Sequence, residues 1–91
     1  MSNRATVTVT IKNRLGLHAR PAMQFVDTAV AHKCSVTVRK GDQSVDGKSI
    51  MQMMMLAAVK GATLEITAEG DGAEQAVAAL QKLVDSRFGE E

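Results

Sequence analysis

Apolar and polar side chains alternate without interruption along Ala5-Thr6-Val7-Thr8-Val9-Thr10-Ile11, with Val7, Val9 and Ile11 on one side and three threonines on the other. A period of two with one apolar face predicts a strand that covers a core on one side and meets water on the other. From about residue 19 to residue 31 the period becomes helical, and Ala22, Phe25, Val26, Ala29 and Val30 form an apolar stripe. Alternation returns over Cys34-Ser35-Val36-Thr37-Val38-Arg39, and Lys40-Gly41-Asp42-Gln43 reads as a turn into a short strand at 44–46. Ser49-Ile50-Met51-Gln52 matches a capping box, in which the serine oxygen and the glutamine side chain satisfy each other's backbone donors, and Gly61 after Lys60 marks the helix stop. Thr63-Leu64-Glu65-Ile66-Thr67-Ala68-Glu69 alternates again, with Leu64, Ile66 and Ala68 inward. Asp71 with Glu74 makes a second capping box ahead of a helix whose stripe is Ala76, Val77, Leu80, Leu83 and Val84.

The order is therefore β-α-β-β-α-β-α. Strands that alternate, rather than running continuously apolar, belong to an antiparallel sheet with one covered face. The expected fold is α+β: a two-layer, open-faced sandwich of a four-stranded antiparallel sheet with three helices on one face, a single domain over residues 1–91. At 91 residues the chain is long enough for a core without staples. Only 2% of it is aromatic, so Met, Val, Leu, Ile and Ala must build that core.

Charge and composition narrow the partners. The net charge is +1 with both signs interspersed, and Phe25 and Phe88 are the only aromatics. Neither a basic footprint nor a stacking platform for nucleic acid follows from this. The sole cysteine, Cys34, excludes an internal disulfide and fits a reducing compartment. No apolar leader and no segment long enough for a bilayer is present, so a cytoplasmic protein without membrane insertion is the expectation. His18, His32 and Cys34 make a poor metal set, so no metal and no cofactor is expected; His32 reads as a helix-end surface residue and Cys34 as a core residue at a strand start.

Candidate chemistry concentrates in Gly16-Leu17-His18-Ala19-Arg20-Pro21-Ala22. Pro21 reads as a first-turn residue, where a missing N–H costs nothing. The free amides at a helix start, with the positive end of its dipole, form an anion site, and Arg20 adds a planar fork of donors suited to phosphate. A helix N-terminus disfavours a protonated imidazole, and a neutral ring is what a phosphoryl acceptor needs. Taken singly, a histidine near a helix start is ordinarily a surface residue or a weak cap. The helix begins at Ala19 or at Pro21, because a residue before proline avoids the helical region. A second notable segment is Ile50-Met51-Gln52-Met53-Met54-Met55-Leu56, apolar nearly all round, so that some of its side chains must be exposed.

Asn13-Arg14-Leu15-Gly16-Leu17-His18-Ala19-Arg20-Pro21-Ala22, the later Gly47-Lys48-Ser49-Ile50-Met51 and the element order together resemble the HPr family, the phosphocarriers of the bacterial phosphoenolpyruvate-dependent phosphotransferase system. The resemblance covers the chain from first strand to last helix. It implies that His18 accepts a phosphoryl group on Nδ1 from phosphorylated enzyme I and passes it to a IIA protein or domain. Arg20 and the backbone amides of Ala19 and Arg20 would stabilise the phosphate. Such a protein is a phosphorylated intermediate rather than a free-standing enzyme. Ile50, Met51 and Met54, with Ala19, Met23 and Lys48, would form the docking surface, and methionine suits a surface that fits several partners in turn. Ser49 matches a serine that a dedicated kinase phosphorylates in many members, which adds a serine kinase/phosphorylase to the candidate partners.

Departures from the family pattern bear on those partners. Gln24, Asp27 and Val30 stand where several members carry lysines, leaving Arg20, Lys48 and Arg14 as the basic candidates. The run at 17–23 and the ending Arg87-Phe88-Gly89-Glu90-Glu91 are also similar to NPr, the nitrogen-branch relative, whereas Gly47-Lys48-Ser49-Ile50-Met51 is closer to the sugar-branch carriers. The branch stays open at this point. The alternative function is a regulatory binding module controlled by Ser49 phosphorylation, without onward transfer. A free-standing enzyme finds no second nucleophile and no paired carboxylates by motif. A monomer is the default.

Overall fold

A computed structural model of the protein describes residues 3–90, so Glu91 at the end of the terminal motif lies outside the described residues. Four strands, β1 (Arg4–Thr10), β2 (Ser35–Lys40), β3 (Gln43–Asp46) and β4 (Thr63–Glu69), form one sheet in the order β1-β4-β2-β3. Every neighbouring pair is antiparallel. Three helices, α1 (Ala19–Val30), α2 (Ile50–Met55) and α3 (Ala73–Asp85), cover one face, and a short 3-10 turn, η1 (Arg87–Gly89), follows. The open-faced sandwich expected from the alternation is the observed architecture.

The register shows why alternation was sufficient. Val7 faces Ile66, Ile66 faces Val38, and Val38 faces Val45, so one apolar row crosses all four strands. The adjacent row, Thr8, Glu65, Arg39 and Ser44, lies on the open face, where Arg39 pairs with Glu65 at 3.1 Å. A one-residue slip would exchange those rows, so the pairing is strongly specified. Against the apolar row pack Ala22, Phe25 and Ala29 of α1, Met53 of α2, and Ala76, Leu80 and Val84 of α3, all buried.

Helix ends depart from expectation in four places. Val30 is 58% exposed rather than part of the α1 stripe, because it lies about 100° around the helix from Ala29 and faces away from the sheet. The second helix stops at Met55, well before Gly61. Lys40 Nζ donates to the Leu56 carbonyl at 2.9 Å and Gln43 Nε2 to that of Met55 at 3.4 Å, while Ala57 turns into the left-handed region (φ 48°). The stop is made by the side chains of Lys40 and Gln43, which flank the β2–β3 turn, not by a local glycine. The Ser49–Gln52 box is half formed: Ser49 Oγ accepts from the Gln52 N–H at 3.2 Å, but Gln52 Oε1 accepts from Asp46 N–H at 2.9 Å instead of from Ser49. Gly72 (φ 78°), not Asp71, caps α3, and no side chain bonds there. A left-handed glycine inserted between Asp71 and the first turn takes the capping position away from the carboxylate.

Candidate functional site

α1 begins at Ala19, with His18 as its N-cap in an extended conformation (φ −77°, ψ −174°). The His18 carbonyl accepts the first intrahelical bond from Ala22 N–H at 2.9 Å. Pro21 is thus the third helical residue, still within the four whose amides have no internal partner. The amides of Ala19 and Arg20 precede it. The imidazole itself makes no capping bond. Arg20 is exposed, and among the described residues its guanidinium holds no hydrogen bond or ion pair.

The turn that delivers His18 is tightly built. Gly16 has φ 71°, and a Cβ added there would lie 2.5 Å from the Ala58 carbonyl oxygen and 2.9 Å from Val59 Cα. Leu17, buried, donates its N–H to that same Ala58 oxygen at 2.8 Å. Asn13 is 0% exposed; its carbonyl accepts from Gly16 N–H at 3.1 Å, and its Nδ2 donates to the Gly16 carbonyl at 2.6 Å. That same amide nitrogen donates to Glu90 Oε1 at 2.9 Å. Glu90 Oε1 in turn lies 2.9 Å from His18 Nε2. Asn13, Glu90 and His18 thus form a chain from the core to the surface, where the imidazole is 36% exposed. The hydrogen bond from His18 holds the Glu90 carboxyl below its ordinary range, helped by Asn13 and by the charges of His18 and Arg20 and opposed by burial.

Glu90 is the residue that sequence reasoning missed. Its partner lies 72 positions away, and nothing local in the ending pointed to it. The turn that carries it is unusual: Arg87 (φ 61°) and Phe88 (φ 55°) are consecutive left-handed residues, and Phe88 is buried in the main core. Such conformations cost about 1 kcal/mol or more apiece and persist only where packing enforces them.

The methionine segment divides as a one-stripe helix must. Met53 and Leu56 are buried, Ile50 is half-buried, and Met51, Met54 and Met55 are exposed, Met51 at 76%. α1 packs beside α2 and exposes Ala19 and Met23. Leu15 and Val59, on the two sides of the Gly16 contact, are also exposed apolar residues that the sequence did not single out. Lys48 is not a free surface charge: its Nζ donates to the His32 carbonyl at 2.8 Å, just beyond the C-terminus of α1. His32 is half-buried with Nδ1 on the Thr28 carbonyl at 3.0 Å, and Cys34 is a buried free thiol. Ser49, at the N-cap of α2, is half-buried. No group of three or more His, Cys, Asp or Glu among the described residues is placed to hold a metal, and no helix is long and apolar enough to cross a membrane.

The family described as the phosphorylation site of the HPr component of the phosphotransferase system matches residues 5–86. The chain belongs to the HPr family. The phosphocarrier protein HPr of Pseudomonas aeruginosa is 49% identical over 83 residues, covering 90% of this chain and 92% of that protein. HPr of Neisseria meningitidis is 46% identical over 82 residues, with 90% and 92% covered. Among solved structures, HPr-C-His from Thermoanaerobacter tengcongensis matches with a TM-score of 0.92 and 46% identity, covering 96% of this chain and 98% of its own. Membership makes the protein a phosphocarrier component of the phosphotransferase system, and the HPr architecture is the one built above from the strand pattern.

Proposed function

We propose that His18 accepts a phosphoryl group on Nδ1 from phosphorylated enzyme I and donates it to a IIA protein or domain, with the chain acting as one monomeric cytoplasmic domain that serves sugar uptake or the nitrogen-related branch. One observation carries this reading: an N-cap imidazole without a capping bond stands beside the free amides of Ala19 and Arg20 and a guanidinium that has no partner among the described residues. In transfer, the Nδ1 lone pair attacks phosphorus in line as the donor atom leaves with the electrons of its bond. Negative charge spreads over the three equatorial oxygens, and amides and guanidinium aimed there lower the barrier. A helix N-terminus contributes only about 0.3–1 kcal/mol at an exposed site, which suits a group that must be passed on.

Ala19, Met23, Ile50, Met51 and Met54 supply the docking surface in this reading, and the exposure of Ala19, Met23, Met51 and Met54 on the adjacent helices α1 and α2, with Ile50 half-buried between core and surface, supports it. Lys48 contributes from its edge by fixing the α1 terminus. Ser49 is the regulatory site, reached by a serine kinase/phosphorylase. A phosphate on its Oγ would replace the cap to Gln52 and set about two negative charges beside Met51. Intact-mass measurement after incubation with enzyme I and phosphoenolpyruvate tests the carrier role. One acid-labile phosphate is expected on the wild type and on His32→Ala, and none on His18→Ala. A folded wild-type chain that stays unmodified by its own organism's enzyme I would overturn it.

A further inference from the structure

We infer that Glu90 is a positioning residue for the reaction at His18: its carboxylate, clasped by buried Asn13 and presented by the turn at Arg87 and Phe88, keeps the imidazole proton on Nε2 and leaves Nδ1 as the nucleophile. The inference rests on the phosphoryl-acceptor reading of His18. An ionised carboxylate only accepts hydrogen bonds, so the 2.9 Å contact from His18 Nε2 to Glu90 Oε1 requires the proton on Nε2. Nδ1 then carries the lone pair, and it is free of any capping bond.

Glu90 is itself held. The Asn13 amide that donates to Oε1 at 2.9 Å also donates to the Gly16 carbonyl at 2.6 Å, so both hydrogens of that nitrogen are committed. Asn13 Oδ1 is buried without a partner among the described residues. An orphaned buried oxygen is costly, and the side chain is kept in this orientation by the two bonds on its other atom. Two consecutive left-handed residues, anchored by buried Phe88, bring the tail back over a histidine 72 positions earlier. Packing of Phe88 holds that strained backbone in place, and with it the position of Glu90 against His18.

Nδ1 uses its lone pair to bond phosphorus, the donor atom leaves with the pair from its own bond, and the ring, still protonated on Nε2, becomes cationic. Glu90 faces that new positive charge. On onward transfer the same protonated ring leaves as a neutral imidazole, so the carboxylate supports passage in both directions. An aspartate orienting a catalytic histidine through its other nitrogen uses the same logic.

Nitrogen-15 spectra of uniformly labelled protein, recorded where His18 is neutral, read the tautomer directly and need no phosphoryl donor. The wild type should show a protonated Nε2 and an unprotonated Nδ1, and Glu90→Ala a mixture. Treatment with potassium phosphoramidate followed by phosphorus-31 spectra should give the Nδ1 isomer in the wild type, with Nε2 product appearing in Glu90→Ala. Phosphorylation by enzyme I should slow about 1.5- to fivefold, the span of a part-exposed charge pair. An unchanged tautomer with normal acceptance from enzyme I refutes the role of Glu90 alone. A shifted tautomer in Glu90→Ala, where the folded wild-type chain itself takes no phosphate from enzyme I, refutes the acceptor reading, and the role in transfer with it.

Discussion

Replacing Gly16 by alanine loads two separate costs onto the turn that delivers His18. The first is conformational, because Gly16 has φ 71°, where an L side chain is strained by about 1–2 kcal/mol. The second is steric: the new methyl would sit 2.5 Å from the Ala58 oxygen and 2.9 Å from Val59 Cα, both backbone atoms that cannot swing aside. Forcing extra volume into a closed contact costs about 1–3 kcal/mol. Gly41 supplies an internal control, since it has φ 59° but nothing within 4 Å of an added Cβ. Gly41→Ala should therefore show the conformational cost alone, and the difference between the two variants isolates the contact. With a urea slope of roughly 1 kcal/mol/M, expected for a chain this short, Gly16→Ala should unfold about 1–3 M earlier than Gly41→Ala. Because Leu17 N–H shares the Ala58 oxygen, its amide exchange should accelerate as well, and phosphoryl acceptance should fall with it. Equal urea midpoints for the two variants would show that the turn does not lean on the 57–59 segment.

Three further outcomes are expected. Met51→Asp, at a 76% exposed position, should leave the urea midpoint within about 0.5 M while slowing both acceptance from enzyme I and transfer to the IIA partner; a fully active variant refutes the docking surface. Ser49→Asp should keep the fold, since an acidic cap suits a helix start, and slow acceptance from enzyme I; normal rates would remove Ser49 from regulation. Glu90, whose folded carboxyl is held below 4.5, should stay ionised through that value, so its contact with His18 is fully present above it and lost as pH falls through the lower folded value. Carbon-13 titration of its carboxyl reads the midpoint, and a value at or above 4.5 would contradict the clasp.

Legibility in the sequence followed the distance between a feature and its cause. Strand faces were readable because Val7, Val9, Leu64, Ile66, Val36 and Val38 declare their own side of the sheet by alternation. Helix existence was readable for the same reason, and His18 as the residue opening α1 needed only its neighbours. Helix ends were not. The carbonyls that close α2 are taken by Lys40 and Gln43 flanking an earlier turn, and Gln52 turns away from Ser49 to the β3 residue Asp46. Local capping rules assume local partners. Here the competing groups came from elements that only the folded chain brings near.

The same division runs through the site. Everything the proposed acceptor site draws on, from the imidazole to the opening amides and the guanidinium of Arg20, lies within one turn of chain and is local in the sequence. What selects between the two ring nitrogens in this reading arrives from the far end, through Glu90 and its contact with buried Asn13. This arrangement fits a carrier whose group must come and go. The anion side is exposed and loosely donated, so no fixed cage retains the phosphate. The orienting side is anchored in the core by Asn13 and Phe88, so the imidazole presents the same nitrogen at every turnover. Loosening the second without touching the first should cost regiochemistry before it costs affinity for phosphate, which is why the isomer formed is a more discriminating readout of Glu90 than the amount of phosphate bound.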